Sequence, residues 1–427
     1  MTRVRFPSPA PIFPGKLPGP VRGCPDQGGC AGAIHAVPVL RVRHDSGPVD
    51  RARPDLKRGR DMRIFRKGPA RRGKAAKLSP GLTGMRLALD WVQMATQGIK
   101  ALTSPAKPAK PAKPAKPGVV PAGTAGPPRR SRASFSTGTH DCAQGSLRYR
   151  LFKPGRVATD KPMPLVVMLH GCGQTPEDFA TGTGMNLLAR ESGVMVLYPG
   201  QSREAHPNRC WNWFDAGNAA RGKGEAAVIA SLTRRIIETH GADPARVYVA
   251  GLSAGTSMAL ALAHGYPDLF AAVGAHSGLP LGAARDQTSA VMAMQRGNPG
   301  ARLVRAMPTI VFHGSHDAVV HPRNGRLIAI RAREPYAGLR QSQAAGHSPG
   351  GRSYAKTIDR VGAGRALVEH WSVRGAGHAW SGGSARGRFT DPKGPDASRE
   401  MLRFFLRHSL AARRRKALAA ELQAPAA

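Results

Sequence analysis

A single serine stands between two glycines in the stretch RVYVAGLSAGTSMALALA, residues 246–263, where an alternating apolar run gives way to small helix-forming residues. An abrupt turn from strand to helix forces its corner residue into strained dihedral angles, and flanking glycines remove the Cβ atoms that would clash there. The pattern Gly251-x-Ser253-x-Gly255 is typical of a nucleophile elbow, which would project the Ser253 hydroxyl from the corner. The alternative is a glycine-rich turn with a buried serine.

A serine hydroxyl is a weak nucleophile, so it needs a histidine to accept its proton and a carboxylate to orient that imidazole. Two later loops supply such residues. Asp317 lies in SHDAVVHPRNG, after the apolar run PTIVFHG, and His378 lies in RGAGHAWSGG, after LVEHWSV. The chain order Ser, Asp, His is that of hydrolases in which each group follows a strand of one sheet. We therefore predict Ser253 as nucleophile, Asp317 as acid and His378 as base.

Other residues compete for the roles of acid and base. The chain contains 15 histidines, and four of them lie near these two loops: His313, His316, His321 and His370. His313 and His370 fall inside apolar runs, which favours packing within a strand. Asp359 is an alternative acid, but it precedes the run 367–373 and would lie at the opposite edge of the sheet.

Acyl transfer also requires N–H donors for the oxyanion of the tetrahedral intermediate. One predicted donor is the backbone N–H of Ala254, the residue after the nucleophile. The second is expected in the loop LHGCGQTPEDF, residues 169–179, where the N–H of Cys172 is the candidate and His170 is interpreted as structural. The chain has no C-x-x-C motif and no pair of histidines at helical spacing beside a glutamate, so we predict neither a metal nor a cofactor.

The elements that must position these residues follow from the apolar pattern. From residue 146 onward, short apolar runs alternate with helical stretches, which is typical of an α/β fold with a mostly parallel sheet flanked by helices. The predicted strands are residues 147–153, 164–170, 193–199, 246–252, 270–277, 308–314 and 367–373. Helices are predicted over 224–241, just before the strand that leads to Ser253, and directly after that serine.

The first third of the chain has a different composition. Residues 1–133 hold 27 of the 64 Lys and Arg residues but only 6 of the 26 Asp and Glu residues. We interpret them as a basic, proline-rich and disordered leader, followed by a domain at 134–410 and a tail at 411–427. The opening RVRFPSPAP has no periodicity, so residues 1–61 are interpreted as a mis-assigned start, with Met62 or Met85 as the alternative first residue.

Two segments of this leader have patterns of their own. Residues 85–102 carry one apolar stripe at helical spacing, expected either to dock on the domain or to bind a hydrophobic surface. Residues 105–117, PAKPAKPAKPAKP, predict an extended linker. The excess of positive charge predicts contact with polyanions or a granule surface, without a specific nucleic-acid motif. No run of about 18 apolar residues predicts a membrane span, and the best candidate for a secretory signal is interrupted by Asp90.

Eight motifs in order, VVMLHGCGQ, LYPGQ, CWNWF, GEAAVIASLTRRI, DPARVYVAGLSAG, YPDLFAAVGAHSG, HGSHDAVVHPRNG and GAGHAWSGG, resemble the polyhydroxybutyrate (PHB) depolymerase family of esterases over about residues 140–408. The resemblance implies an α/β-hydrolase fold and hydrolysis of ester bonds in polyhydroxyalkanoates or their oligomers. It also implies relatives that act on feruloyl and acetyl esters of plant polysaccharides. The same roles fall on Ser253, Asp317, His378 and the Cys172 loop. Thr256 departs from the glycine or alanine expected there, which concerns helix packing more than chemistry.

The motifs HGC and CWNWF bring two cysteines toward the predicted active-site edge. We therefore predict a disulfide between Cys172 and Cys210, the alternative being two buried thiols. A disulfide and the family resemblance favour a secreted protein, whereas the missing signal favours the cytoplasm, and both compartments stay open. Trp211, Trp213 and Trp380 lie beside motif residues and are expected either to line a substrate cleft or to pack in the core.

Two classes of function remain at this point. The first is a serine esterase, with hydroxybutyrate polyesters favoured over feruloyl or acetyl-polysaccharide esters. A phenolic ring requires a slot with a hydrogen-bond partner, and only 5% of this chain is aromatic. The second is a granule- or surface-binding protein with an idle hydrolase scaffold. The three intact catalytic positions favour the esterase.

Overall fold

The computed structural model describes residues 132–155 and 161–413 of the chain. The predictions for residues 1–61, 85–102 and 105–117, and for most of the 411–427 tail, lie outside this part. Within it, the strands are β1 (Ser134–Cys142), β2 (Gly145–Lys153), β3 (Met163–Leu169), β4 (Met195–Gly200), β5 (Ala242–Leu252), β6 (Ala272–His276), β7 (Thr309–Gly314), β8 (Leu339–His347), β9 (Ser353–Val361), β10 (Ala366–Val373), β11 (Trp380–Ser381) and β12 (Thr390–Asp391).

Ten of these strands form one sheet in the order β1-β2-β4-β3-β5-β6-β7-β10-β9-β8. The six strands from β4 to β10 in this order pair in parallel, and the two edges are completed by antiparallel pairs. The parallel strands are runs of fully buried residues, such as Leu165–Leu169 in β3. A strand buried on both faces reads as a continuous apolar run because helices cover both sides of a parallel sheet.

Helices connect and cover these strands. They are α1 (Pro176–Thr183), α2 (Met185–Ser192), α3 (Ala216–Ala219), α4 (Gly224–His240), α5 (Ala254–Gly265), α6 (Gln287–Arg296), α7 (Arg323–Arg333) and α8 (Ala397–Phe405). Helices α1, α2 and α8 pack on one face of the sheet, whereas α4, α5 and α7 contact the strands from the other. This arrangement is the α/β-hydrolase fold, as the sequence predicts.

All seven predicted strands are present, with ends that differ by at most four residues. The pattern did not predict β1, β8 or β9, which lie toward the sheet edges. Strand β8, LRQSQAAGH, is mostly exposed, so it carries no apolar alternation. Asp359 precedes β10 and pairs with Val368 at its start, opposite the carboxyl end, as predicted; it lies in β9, where it is buried and its Oδ1 is 3.2 Å from Arg333 Nε.

Among the described residues, no helix is both long and apolar enough to span a bilayer.

Candidate active site

Ser253 occupies the corner between β5 and α5, as the glycine pattern predicts. It is the N-cap residue of α5 and has φ 56° and ψ −120°, a positive φ that is rare for a residue with a side chain. Its N–H donates to His276 O at 2.9 Å, and its carbonyl accepts from the N–H of Thr256 and of Ser257. These bonds hold a backbone conformation that costs on the order of 1–3 kcal/mol. Such strain is typical of a functional residue.

The two flanking glycines are required by close backbone contacts. A Cβ at Gly251 would lie closer than 3.0 Å to the backbone of Gly255. A Cβ at Gly255 would lie equally close to the carbonyl oxygens of Leu169 and His170. The start of α5 therefore packs directly against the loop that follows β3, and only glycine permits this approach.

Asp317 and His378 meet in loops that follow β7 and β10. His378 Nδ1 lies 2.8 Å from Asp317 Oδ2, and Asp317 Oδ1 accepts the N–H groups of Val319 and Val320 at 3.0 and 2.8 Å. The acid also has a second neighbour, because His313 Nε2 lies 3.3 Å from Asp317 Oδ2. The predicted acid is thus buried and surrounded by donors.

The charge of Asp317 follows from these contacts. Burial alone would raise its pKa, but hydrogen bonds from His313 and His378 and the attraction to either ring when it is protonated outweigh burial and hold the pKa well below its usual range. Asp317 is therefore a carboxylate, which can only accept hydrogen bonds. His378 Nδ1 must then carry the proton that lies between them, which leaves Nε2 as the basic nitrogen.

Sheet topology brings the three predicted residues to one edge. Strands β5, β7 and β10 run in parallel with β6, and Ser253, Asp317 and His378 each follow the carboxyl end of one of them. Among the described residues, neither the Ser253 hydroxyl nor His378 Nε2 is hydrogen-bonded to another group. In ligand-free enzymes such catalytic bonds are often long, and they shorten when substrate binds.

The backbone of the loop after β3 is fixed on both sides of Cys172. The N–H of Gly171 donates to Gln174 Oε1 at 3.0 Å, the N–H of Gly173 donates to Asn208 O at 2.6 Å, and the N–H of Gln174 donates to Gly171 O at 3.2 Å. Within the described part of the chain, the N–H of Cys172 has no such acceptor. This loop therefore presents one free backbone donor at the position that the sequence predicts.

The second predicted donor lies at the start of α5. The N–H of Ala254 also has no acceptor among the residues that the structure describes, because the first N–H groups of a helix have no partner within it. Gly255 packs against Leu169 O and His170 O, so the first turn of α5 and the loop that carries Cys172 border the same space. The N–H of Ala254 at the positive end of the helix and the N–H of Cys172 in the adjacent loop can together stabilise a developing negative charge.

A disulfide joins Cys172 to Cys210 in the structure. It connects the loop after β3 to the loop after β4. The same two loops are connected by His170, whose Nε2 accepts the N–H of Gln201 at 3.0 Å. Burial lowers the pKa of His170 to about 4, so its ring is neutral and structural, as predicted.

The three tryptophans have different environments. Trp211 and Trp380 are only 0% and 1% exposed, so of the two alternatives left open they pack in the core and do not line a cleft. Trp211 Nε1 donates to His170 O, and Trp380 Nε1 donates to Ser398 Oγ, so both rings are core residues with satisfied polar atoms. Trp213 is partly buried against an apolar cluster around Leu279, so it stays a candidate for the cleft.

Sequence reasoning missed His276, which fixes the loop that carries His378. Its Nε2 accepts the N–H of Ser381 at 2.9 Å, and its ring stacks on Trp380 with centroids 4.9 Å apart. Burial lowers the pKa of His276 to about 3. Thr256 reinforces this side of the site, because its hydroxyl lies 2.6 Å from Gly251 O and accepts the N–H of His276. The departure at Thr256 therefore serves packing, and the motif AHSG was the available signal for His276.

The rival histidines lie elsewhere, with one exception. His370 lies in β10, where burial lowers its pKa to about 4. His316 and His321 are exposed on the loop after β7. His313 is buried in β7 and contacts Asp317, so it is the one rival that the fold brings to the acid.

Parts of the chain are similar to known depolymerases and esterases. Residues 147–333, which include Ser253 and Asp317, match the family described as Esterase PHB depolymerase. The chain is 35% identical over 229 residues to poly(3-hydroxyalkanoate) depolymerase C of Paucimonas lemoignei, which covers 50% of this chain and 54% of the relative. It is 30% identical over 241 residues to poly(3-hydroxybutyrate) depolymerase of Ralstonia pickettii, covering 52% and 48%.

A relative with another named activity is also similar. The chain is 28% identical over 198 residues to feruloyl esterase B of Thermothelomyces thermophilus, covering 42% of this chain and 66% of the relative. The chain spans about half the length of the two depolymerases that it matches.

Proposed function

We propose that this chain, which matches the Esterase PHB depolymerase family over residues 147–333, is a serine esterase that uses Ser253, His378 and Asp317 to hydrolyse carboxylic esters. The observation that carries the proposal is the 2.8 Å pair of His378 Nδ1 and Asp317 Oδ2, at the sheet edge where Ser253 has its strained backbone. A buried carboxylate that fixes the imidazole with Nε2 unprotonated is what a serine nucleophile requires.

In the proposed acylation step, Ser253 Oγ attacks the ester carbonyl carbon while its proton moves to His378 Nε2. The tetrahedral intermediate carries its negative charge on the former carbonyl oxygen, which accepts the N–H groups of Cys172 and Ala254. Each such donor contributes about 2.7–4 kcal/mol to the transition state. The C–O bond to the alcohol then breaks, and His378 returns the proton to the leaving oxygen.

Hydrolysis of the acyl-enzyme repeats these steps with water. His378 Nε2 takes a proton from a water molecule that attacks the acyl carbon, and the Ser253 oxygen leaves with that proton. Asp317 stays ionised throughout, because four hydrogen-bond donors surround its carboxylate and its pKa is far below neutrality. It stabilises the imidazolium that forms in each half of the reaction.

We propose poly(3-hydroxybutyrate)-type polyesters or their oligomers as the substrate. Two relatives at 30% and 35% identity are named as depolymerases of such polymers. The burial of Trp211 and Trp380 also leaves fewer aromatic rings for a phenolic substrate. The similarity to a feruloyl esterase makes feruloyl or acetyl-polysaccharide esters the second candidate.

The test compares kcat/KM of the full chain on 3-hydroxybutyrate trimer and on methyl ferulate. We expect the trimer to be preferred. A tenfold preference for the ferulate, about 1.4 kcal/mol of differential transition-state binding, would replace the polyester by the second candidate and leave the serine mechanism in place.

The same assay separates the esterase from a surface-binding protein with an idle scaffold. Turnover that disappears in Ser253→Ala supports the esterase, whereas binding to polymer granules without turnover of any ester supports the scaffold.

For the basic leader we propose electrostatic contact with anionic surfaces, on the evidence of its composition alone. Binding that weakens as the salt concentration rises from roughly 50 to 500 mM would support this contact.

A further inference from the structure

Glu225 lies in the first turn of α4, and its carboxylate accepts three hydrogen bonds from the loop after β4. Its Oε1 lies 2.6 Å from Gln201 Nε2 and 2.6 Å from Asn212 Nδ2, and its Oε2 accepts the N–H of Asn212 at 2.8 Å. No Lys, Arg or His within the described ranges forms an ion pair with it. Burial raises the pKa of Glu225, and the bonds from Asn212 and Gln201 oppose this rise.

The loop that Glu225 holds is the one that carries Cys210. Gln201 Nε2, already bound to Glu225, also donates to Cys210 O at 3.1 Å, and Asn212 follows two residues after Cys210. Residues 201–212 are therefore fixed at both ends by one carboxylate. Gln201 and Asn212 present N–H donors to Glu225, so an acceptor with two oxygens is the group that satisfies them.

This loop is in turn attached to the loop that carries the free N–H of Cys172. Besides the bond between His170 and Gln201 described above, the attachments include the disulfide between Cys210 and Cys172 and the bond from Gly173 N–H to Asn208 O at 2.6 Å. Cys172 thus has one covalent and one adjacent hydrogen-bonded connection to the loop that Glu225 fixes. A displacement of that loop would move the N–H of Cys172.

We propose that Glu225 is a positioning residue, which holds the Cys172 N–H at the oxyanion through the 201–212 loop and the Cys172–Cys210 disulfide. The inference rests on the proposed function, since it needs an oxyanion to stabilise. An oxyanion donor acts only when it lies about 2.7–3.1 Å from the position that the charged oxygen reaches in the transition state. Loosening the loop therefore weakens transition-state binding and leaves binding of the ground-state ester nearly unchanged.

The test variant is Glu225→Gln, which keeps the shape of the side chain and replaces one acceptor oxygen by an NH₂ group. With Oε1 retained for Gln201 and Asn212 Nδ2, the new NH₂ group faces the N–H of Asn212, and two donors oppose each other. The matched control is Glu238→Gln, the same change on the exposed C-terminal turn of the same helix. Both variants are made in the full chain.

The readouts are kcat and KM on p-nitrophenyl butyrate, and the inhibition constant of an alkyl trifluoromethyl ketone, whose hemiketal on serine carries an oxyanion. We expect Glu225→Gln to lower kcat at least tenfold with KM within twofold of wild type, and to weaken the ketone by the same factor. Glu238→Gln should match wild type. An unchanged kcat, or a rise in KM alone, would overturn the proposal.

A double-mutant cycle tests whether Glu225 is coupled to the Cys172 N–H through the disulfide. If Glu225 acts through the disulfide, Glu225→Gln should cost less on the Cys172→Ser/Cys210→Ser background than on wild type, and an equal cost would contradict this route. If Glu225→Gln does not fold, Asn212→Ala replaces it, because this change removes the Nδ2 bonds to Glu225 Oε1 and Ala205 O and keeps the backbone N–H bond to Glu225. It is judged by the same kcat, KM and ketone criteria. An absence of ester turnover in wild type, or turnover that survives Ser253→Ala, would instead refute the proposed function.

Discussion

The orientation of His378 by Asp317 can be tested with Asp317→Asn, because the surroundings of this carboxylate dictate how an amide would sit. Oδ1 accepts the N–H groups of Val319 and Val320. The amide oxygen of an asparagine will keep those two bonds, so its NH₂ group must take the place of Oδ2 and point at His378 Nδ1. His378 would then accept at Nδ1 and carry its proton on Nε2, the wrong tautomer for a general base.

The expected loss follows from this tautomer change. Trapping the imidazole in the wrong tautomer lowers kcat by about 10⁴-fold, which is about 5.4 kcal/mol of transition-state stabilisation. The assay is kcat/KM on p-nitrophenyl butyrate at neutral pH, with thermal unfolding measured in parallel. Asp359→Asn is the control, because Asp359 is an equally buried carboxylate in β9 and lies far from the carboxyl end of β10.

The outcome separates chemistry from stability. We expect Asp359→Asn to lower the melting temperature and to leave kcat/KM of the folded fraction within a few fold. A folded Asp317→Asn protein that keeps more than about a tenth of wild-type kcat/KM would refute the assigned role of Asp317.

Three further predictions follow from the site. Ser253→Ala should abolish turnover of p-nitrophenyl butyrate without changing the melting temperature. His378→Ala should lower turnover by a similar factor, with no added loss in the double variant, because triad members act as a unit. Normal turnover in either single variant would exclude the triad. Gly255→Ala should destabilise the domain by about 3 kcal/mol or more in thermal unfolding, because its Cβ would meet backbone oxygens; a melting temperature equal to wild type would contradict that contact. The free energy of unfolding should also fall as the pH drops from about 6.5 toward 4. The pKa values of His170 and His276 are lowered to about 4 and about 3, so the unfolded chain binds protons there that the folded chain does not. At pH 5 the loss of stability is about 2 kcal/mol for each histidine, and a melting temperature that is higher at pH 5 than at pH 7.5 would refute this direction.

The central sheet could be predicted from the sequence, whereas its edges could not. The parallel strands are buried on both faces, so each is a short apolar run that stands out between polar loops, as in residues 165–169. Strands β8 and β9 pair at the edge and expose most of β8, so their residues follow neither a continuous nor an alternating apolar pattern. Their formation depends on the pairing of β9 with β10 and of β8 with β9, which a local pattern does not record.

The positions of the three candidate catalytic residues could be read because each follows a predictable strand. Parallel strands end at one edge, so the loops after them meet whatever their separation in the chain. The groups that support them could not be read in this way. Gln174 Nε2 donates to Arg388 O across 214 residues, and His276 Nε2 accepts from Ser381 across 105, and no local pattern links such partners.

Adjacency to a motif did not decide between the two roles left open for the tryptophans. Trp380 lies two residues after His378, yet its ring is turned into the core, where it meets Phe179 edge to face with centroids 5.4 Å apart. A loop at the sheet edge has one side toward the site and one toward the core, and the sequence does not say which side a given residue takes. Size gives a hint, because a large aromatic ring gains the most from burial.

The use of backbone donors explains why the esterase is favoured over an idle scaffold. Around Cys172, the N–H groups of Gly171, Gly173 and Gln174 are bound to protein oxygens, and at the corner the N–H of Ser253 is bound as well. Leaving a buried N–H without an acceptor costs about 1–3 kcal/mol, so loops that serve only as a frame should satisfy all of them. Among the described residues, the N–H groups of Cys172 and Ala254 therefore remain without an acceptor beside the strained serine that ends β5. An oxyanion offsets that cost in the transition state, whereas a surface-binding scaffold has no group that would.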